Sequence, residues 1–211
     1  MKGLFLYGIN CTLDVWSDLR DKLNDIDIVY AEYPHEITQN AYTITDITKW
    51  IYEKYGGQPY DFIVGHSMGG LIALELAARF HINCSTTIFI DSNLRPAGDF
   101  YRNLMLPANM VKYGDQIKHM FQDEAPFYKE ILKLSLQTDF DYSPLISKIN
   151  DRLFGIYGDR GMPAYDRKIA DLCLDPMVEE KINFKFVKNS CHMPMIENPQ
   201  DLAVVLRSCL E

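Results

Sequence analysis

Short runs of consecutive apolar residues alternate along this chain with stretches whose apolar positions recur every three or four residues. Residues 2–8, 26–33, 60–64, 85–91, 152–158 and 182–187 are short apolar-rich segments that read as strands, the first of them nearly continuous in its apolarity. Continuous apolarity is what a strand buried on both faces requires. Residues 14–23 place Trp16, Leu19 and Leu23 on one helical face, with Asp14 or Ser17 available as caps. Residues 43–55 do the same with Ile44, Ile47, Ile51 and Tyr55 before Gly56-Gly57 stops them. Further helices are predicted over 68–80, 164–172 and 199–210, the last with proline in its first turn. Strands alternating with helices at this spacing predict an α/β chain: a parallel sheet of about six strands covered by helices on both faces.

The rhythm breaks between residues 94 and 149. No strand pattern occurs there, but helical segments around 100–105, 110–123 and 127–136 are rich in Met, Tyr and Phe. The expectation is one domain over 1–211 with a helical lid, 95–149, inserted between two strands. The alternative reading of the same segment is extra core-packing helices.

The strand at 60–64 runs straight into Gly65-His66-Ser67-Met68-Gly69 and then into a helix. A serine on such a sharp strand-to-helix turn needs small neighbours two positions away, which Gly65 and Gly69 supply. The turn lifts the Ser67 hydroxyl above the sheet and leaves the Met68 amide, at a helix N-terminus, free to face a developing oxyanion. His66 is expected to point elsewhere and pack. A serine nucleophile needs a base, and a carboxylate to orient that base. His192, in the loop after the last strand, is the candidate base; His35, His81 and His119 lie in surface or lid positions.

Composition narrows the partners. A formal charge of −8 in 211 residues opposes nucleic-acid binding, which needs clustered Lys and Arg. No apolar run is long enough to span a membrane, and the N-terminal residues lead into a strand rather than a signal peptide, so a cytoplasmic protein acting on small molecules is expected. Five scattered cysteines without a CxxC pair suggest neither a disulfide framework nor zinc. No cluster has metal-ligand spacing, and no cofactor is expected.

With these motifs in place, the chain resembles the α/β-hydrolase fold family from Gly3 to Leu210, except through the lid. The first strand with Gly8-Ile9 is similar to the family's His-Gly-X oxyanion loop, Tyr7 standing where histidine is usual; His192 with Glu197-Asn198-Pro199 matches its terminal H-x(4)-E-x-P pattern. The resemblance implies that the amides of Ile9 and Met68 form an oxyanion hole. It also implies a trimmed sheet, since the two antiparallel strands common ahead of the oxyanion strand are missing. After the penultimate strand the family writes G-x-x-D, whereas this chain writes Gly158-Asp159-Arg160-Gly161. The candidates for the triad acid are therefore Asp91, at the end of the strand after the elbow helix as in haloalkane dehalogenase-like members, and Asp159, with a Ser-His dyad or a more remote acid as the remaining alternatives.

The resulting expectation is a serine hydrolase of carboxylic esters or thioesters, acting through an acyl-enzyme on small, hydrophobic substrates. Acyl transfer or C–C bond cleavage on the same residues is the alternative chemistry, and a non-catalytic ligand-binding protein the alternative class. Oligomeric state is not legible.

Overall fold

The computed structural model describes residues 1–138 and 140–211. Six strands form one sheet: β1 (Lys2–Leu6), β2 (Asp27–Tyr30), β3 (Tyr60–His66), β4 (Cys84–Ile90), β5 (Arg152–Gly158) and β6 (Asn183–Val187). Their order is β2-β1-β3-β4-β5-β6 and every neighbouring pair is parallel. After β1 the chain steps outward to β2, then crosses back to the other side of β1 for β3. That reversal opens a crevice at the carboxyl ends of β1 and β3, where ligands bind in open α/β sheets.

Five longer helices accompany the sheet: α1 (Ile44–Tyr55), α2 (Met68–Ala78), α3 (Pro107–Glu124), α4 (Glu130–Leu134) and α5 (Pro199–Leu210). Helix α1 starts at a capping box in which Thr43 accepts from the Asp46 amide while the Asp46 carboxylate accepts from the Thr43 amide. All eleven residues of α2 are buried. It therefore needs no polar face, and its one acid, Glu75, is met by Arg79 at 2.9 Å and by the Thr45 hydroxyl at 2.8 Å. The core is continuous, with Leu4, Leu6, Ile63, Val64, Ile72, Leu74, Ile88, Ile90 and Ile156 all fully buried.

Several boundaries differ from the sequence reading. The first helix is split into a 3-10 turn, Leu13–Trp16, and one helical turn, Ser17–Arg20; Thr12 rather than Asp14 or Ser17 caps it, accepting from the Asp14 amide. The segment 164–172 folds as turns with 3-10 structure only at Ala170–Leu172. Its polar groups are engaged sideways instead: Tyr101 donates to the Lys168 carbonyl at 2.6 Å, the Gly98 amide to the Asp171 carbonyl at 2.7 Å, and Tyr165 to the Asp171 carboxylate at 2.6 Å. Carbonyls held this way are drawn out of a helical ladder. Between β4 and β5 the described residues form α3, α4 and short 3-10 turns and no strand.

Candidate active site

Ser67 sits between β3 and α2 with φ 53° and ψ −120°. A non-glycine residue held there costs about 1–3 kcal/mol, tolerated only where surrounding packing over-determines it. The packing is visible: a Cβ on Gly65 would overlap the Gly69 backbone, and one on Gly69 would overlap the Leu6 carbonyl. The Ser67 amide donates to the Ile90 carbonyl at 2.9 Å, which pins the turn to β4. Met68 opens α2, where first-turn amides lack intrahelical acceptors.

The loop after β1 lies directly against this turn. A Cβ on Gly8 would come 3.0 Å from the Ser67 Cβ and 3.1 Å from His66 Nδ1, so glycine is what lets Ile9 and Asn10 reach the same crevice. Tyr7 is buried, not aimed at the crevice chemistry. Its hydroxyl accepts from the Tyr33 amide at 2.8 Å and its carbonyl from the Tyr33 hydroxyl at 3.1 Å, clamping the loop's base.

His192 and Asp91 meet although 101 residues separate them: His192 Nδ1 lies 3.3 Å from Asp91 Oδ1. Asp91 follows β4 with φ 44° and is fully enclosed. Its carboxylate also accepts from the Gly158 amide at 2.9 Å and from both terminal nitrogens of Arg160, at 2.8 and 2.6 Å. Burial alone would raise the Asp91 pKa, but the Arg160 charge and the hydrogen bonds from His192 and Arg160 outweigh it and hold the carboxyl well below its usual range. An ionised acceptor requires Nδ1 to donate, which leaves Nε2 of a neutral imidazole as the acceptor.

Asp159 is placed differently. Its carboxylate accepts from the amides of Gly161 at 2.8 Å and Asn189 at 2.7 Å, joining the loops at the carboxyl ends of β5 and β6, and it makes no hydrogen bond to His192 among the described residues. Of the two candidate acids, the fold brings Asp91 to His192.

Three supporting residues carried no such role in the sequence reading. His66 is fully buried and its Nε2 donates to the His192 carbonyl at 2.9 Å, so it holds the loop as well as packing. Burial, then the neighbouring His192, push the His66 pKa down to about 3. Arg160 replaces one side chain's hydration with the Asp91 carboxylate, the Gly158 carbonyl at 2.8 Å and the Tyr101 ring at 4.6 Å. Glu197 accepts from the Cys191 amide at 2.6 Å with one oxygen, and from the Leu106 amide at 2.7 Å and Asn109 at 3.0 Å with the other. Cys191 itself is inert by environment, its thiol pushed up to about 12 by burial and then by Glu197.

These elements enclose one cavity of about 290 Å³. Ile9 and Asn10 come from the loop after β1; Ser67, Met68 and Leu71 from the elbow and α2; Asp91, Ser92 and Asn93 from the end of β4. His192 forms one side, and Lys133, Leu136, Gln137 and Phe140 from the β4–β5 insertion complete it. Among the described residues no group of three or more His, Cys, Asp or Glu side chains could hold a metal ion, and no helix is long and apolar enough to cross a membrane.

Comparison with known proteins places the fold. A family model, described as the alpha/beta hydrolase fold, matches residues 17–132, more than half of the chain. No functionally curated protein matches in sequence. Among solved structures, a membrane phospholipase A described as a bacterial virulence factor superposes with a TM-score of 0.74 at 19% identity, covering 99% of this chain and 78% of that one. MenH from S. aureus gives 0.74 at 16% identity, covering 100% and 93%. The enol-lactonase from Burkholderia xenovorans LB400 gives 0.72 at 13%, covering 99% and 90%. At such identities the likeness is one of fold, and together with the family match it identifies the chain as a member of the alpha/beta hydrolase fold family.

Proposed function

We propose that the protein is a serine hydrolase of small carboxylic esters or thioesters, with Ser67 as nucleophile, His192 as base and Asp91 as the acid that orients it. The observation that carries this reading is the convergence on one cavity of a serine held at φ 53° and a histidine whose Nδ1 faces a buried carboxylate. In this mechanism Ser67 Oγ attacks the carbonyl carbon while its proton passes to His192 Nε2, and the amides of Ile9 and Met68 face the tetrahedral oxyanion. The proton then goes to the departing alcohol or thiol as the acyl-enzyme forms. Water, deprotonated by His192, attacks that acyl group, and collapse of the second tetrahedral intermediate releases the carboxylic acid and returns the proton to Ser67.

Asp159 has a structural role in this scheme, as the staple of the 159–161 turn. The insertion between β4 and β5 acts as a lid, because four of its residues form a wall of the cavity. Leu71, Leu136 and Phe140 supply an apolar surface for an acyl or alkyl group. Free cysteines, four of them buried, suit a reducing compartment such as the cytoplasm. The test is turnover of p-nitrophenyl esters together with fluorophosphonate labelling. Wild type should label and turn over, and Ser67→Ala should lose both, its rate falling by about 10³-fold or more; a Ser67→Ala protein with undiminished turnover refutes the assignment.

A further inference from the structure

Among the described residues, the charges of the cavity wall do not cancel. Asp91 is the one carboxylate among the described residues of the wall, and its charge is already matched by the Arg160 guanidinium lying behind it at 2.6 Å. What remains is Lys133, reaching in from α4 with its side chain only 22% exposed. Its carboxylate neighbour, Glu130, stands 3.6 Å away and is 74% exposed. A pair that open to water is weak and readily exchanged for a better-placed anion. A chain with a formal charge of −8 thus presents, among the described residues of its candidate substrate site, a cation held only by a solvent-exposed ion pair.

Polar groups surround that charge. Asn10, Asn93 and Gln137 line the cavity, and each carries a side-chain amide NH2 able to donate. Buried polar atoms normally find partners, and leaving one unmet costs about as much as a lost hydrogen bond. Asn10 is also held at φ 58°, a conformation that Asn tolerates better than other residues with side chains. A purely aliphatic acyl group would leave these amide N–H groups unpaired; a ligand with acceptor oxygens would meet them.

The geometry points to a substrate that carries a carboxylate a few atoms from its scissile ester or thioester, with Lys133 binding that carboxylate and Asn10, Asn93 and Gln137 meeting its polar atoms. This rests on the serine hydrolase reading above. One lysine, with no arginine in the wall to form a bidentate fork, suits a monoanionic carboxylate rather than a phosphate dianion.

The experiment compares matched esters that differ in one charge. On the acyl side these are mono-p-nitrophenyl adipate and p-nitrophenyl hexanoate; on the leaving side, 4-carboxyphenyl hexanoate and its 4-methoxycarbonyl analogue. Wild type should prefer the charged member of at least one pair in kcat/KM, and the side on which it does so locates the subsite. Lys133→Gln should reduce that charged-to-neutral ratio roughly ten- to hundredfold, mostly through KM, and Lys133→Arg should keep most of it. Equal or lower kcat/KM for the charged member of both pairs, or an unchanged ratio in Lys133→Gln, overturns the proposal. Failure of the underlying reading looks different: Ser67→Ala would still cleave the neutral esters, or wild type would cleave none. A readout free of turnover covers that case. Adipate should raise the melting temperature of wild type more than hexanamide does, and should lose that advantage in Lys133→Gln; equal shifts by the two compounds overturn the subsite whatever the enzyme hydrolyses.

Discussion

The Asp91–Arg160 pair lets catalysis and stability be separated at one carboxylate. The two side chains are 0% and 2% exposed and joined by two hydrogen bonds of 2.6 and 2.8 Å. Asp91→Asn keeps the volume but leaves the guanidinium charged and unmatched in the interior, which costs about 3–5 kcal/mol. Each kcal/mol moves the melting temperature of a chain this size by about 2–4 °C, so a fall of about 6–20 °C is expected. Arg160→Met strands the opposite charge and should cost a comparable amount. The double variant removes both charges and should be more stable than the sum of the single losses, a positive coupling readable in a double-mutant cycle. Activity should follow another pattern. Asp91→Asn should lose about 10⁴-fold in kcat by analogy with Ser-His-Asp enzymes, and the double variant should regain stability without regaining turnover. Thermal melts and ester kinetics on the four proteins decide it. A melting temperature within about 1 °C of wild type for Asp91→Asn refutes the ion-pair reasoning, and a larger loss of kcat in Asp159→Asn than in Asp91→Asn refutes the choice of acid.

Two further predictions concern the elbow. His66 has a folded pKa of about 3 against about 6.5 when unfolded, so between those values the unfolded chain binds the extra proton. Its contribution to stability is therefore complete above about pH 6.5 and declines by up to roughly 1.4 kcal/mol per unit as pH falls toward 3; His66→Gln, which keeps a donor for the His192 carbonyl, should flatten the melting temperature between pH 6.5 and 4. Ser67→Gly should raise stability by about 1–2 kcal/mol while removing activity, because glycine adopts φ 53° without strain; a denaturant midpoint at or below that of wild type would contradict the strain argument.

How far the sequence was legible depended on whether the signal was local. The elbow reads directly, because Gly65, Ser67 and Gly69 must be small or strained within five residues of one another. The four inner strands read as well, since burial on both faces leaves short apolar-rich runs, and the half-buried edge strands β2 and β6 kept enough apolar residues to be found. The acid did not, because Asp91 and Asp159 differ in what they touch 101 and 30 residues away, and spacing along the chain holds no distances in space. Arg160 was passed over for the same reason. The departure at Gly158-Asp159-Arg160-Gly161 was itself a clue: where the family places an acid this chain has Gly161, with a cation just before it that a carboxylate elsewhere has to answer. The helix expected over 164–172 failed because apolar spacing says nothing about carbonyls captured by Tyr101 and Gly98.

The bracket made by Glu197 constrains how the site can open. One carboxylate ties the amide of Cys191, beside the base, to Leu106 and Asn109 at the start of α3, and the His192 amide adds a bond to the Leu104 carbonyl at 3.1 Å. Residues 104–109 and the histidine loop are thereby one mechanical body. A hinge for substrate entry cannot lie at the near end of the insertion without dragging the base off Asp91. On the proposed reading, opening falls to the far end, where α4 carries Lys133, so the proposed carboxylate-binding wall would move while Ser67, His192 and Asp91 keep their arrangement.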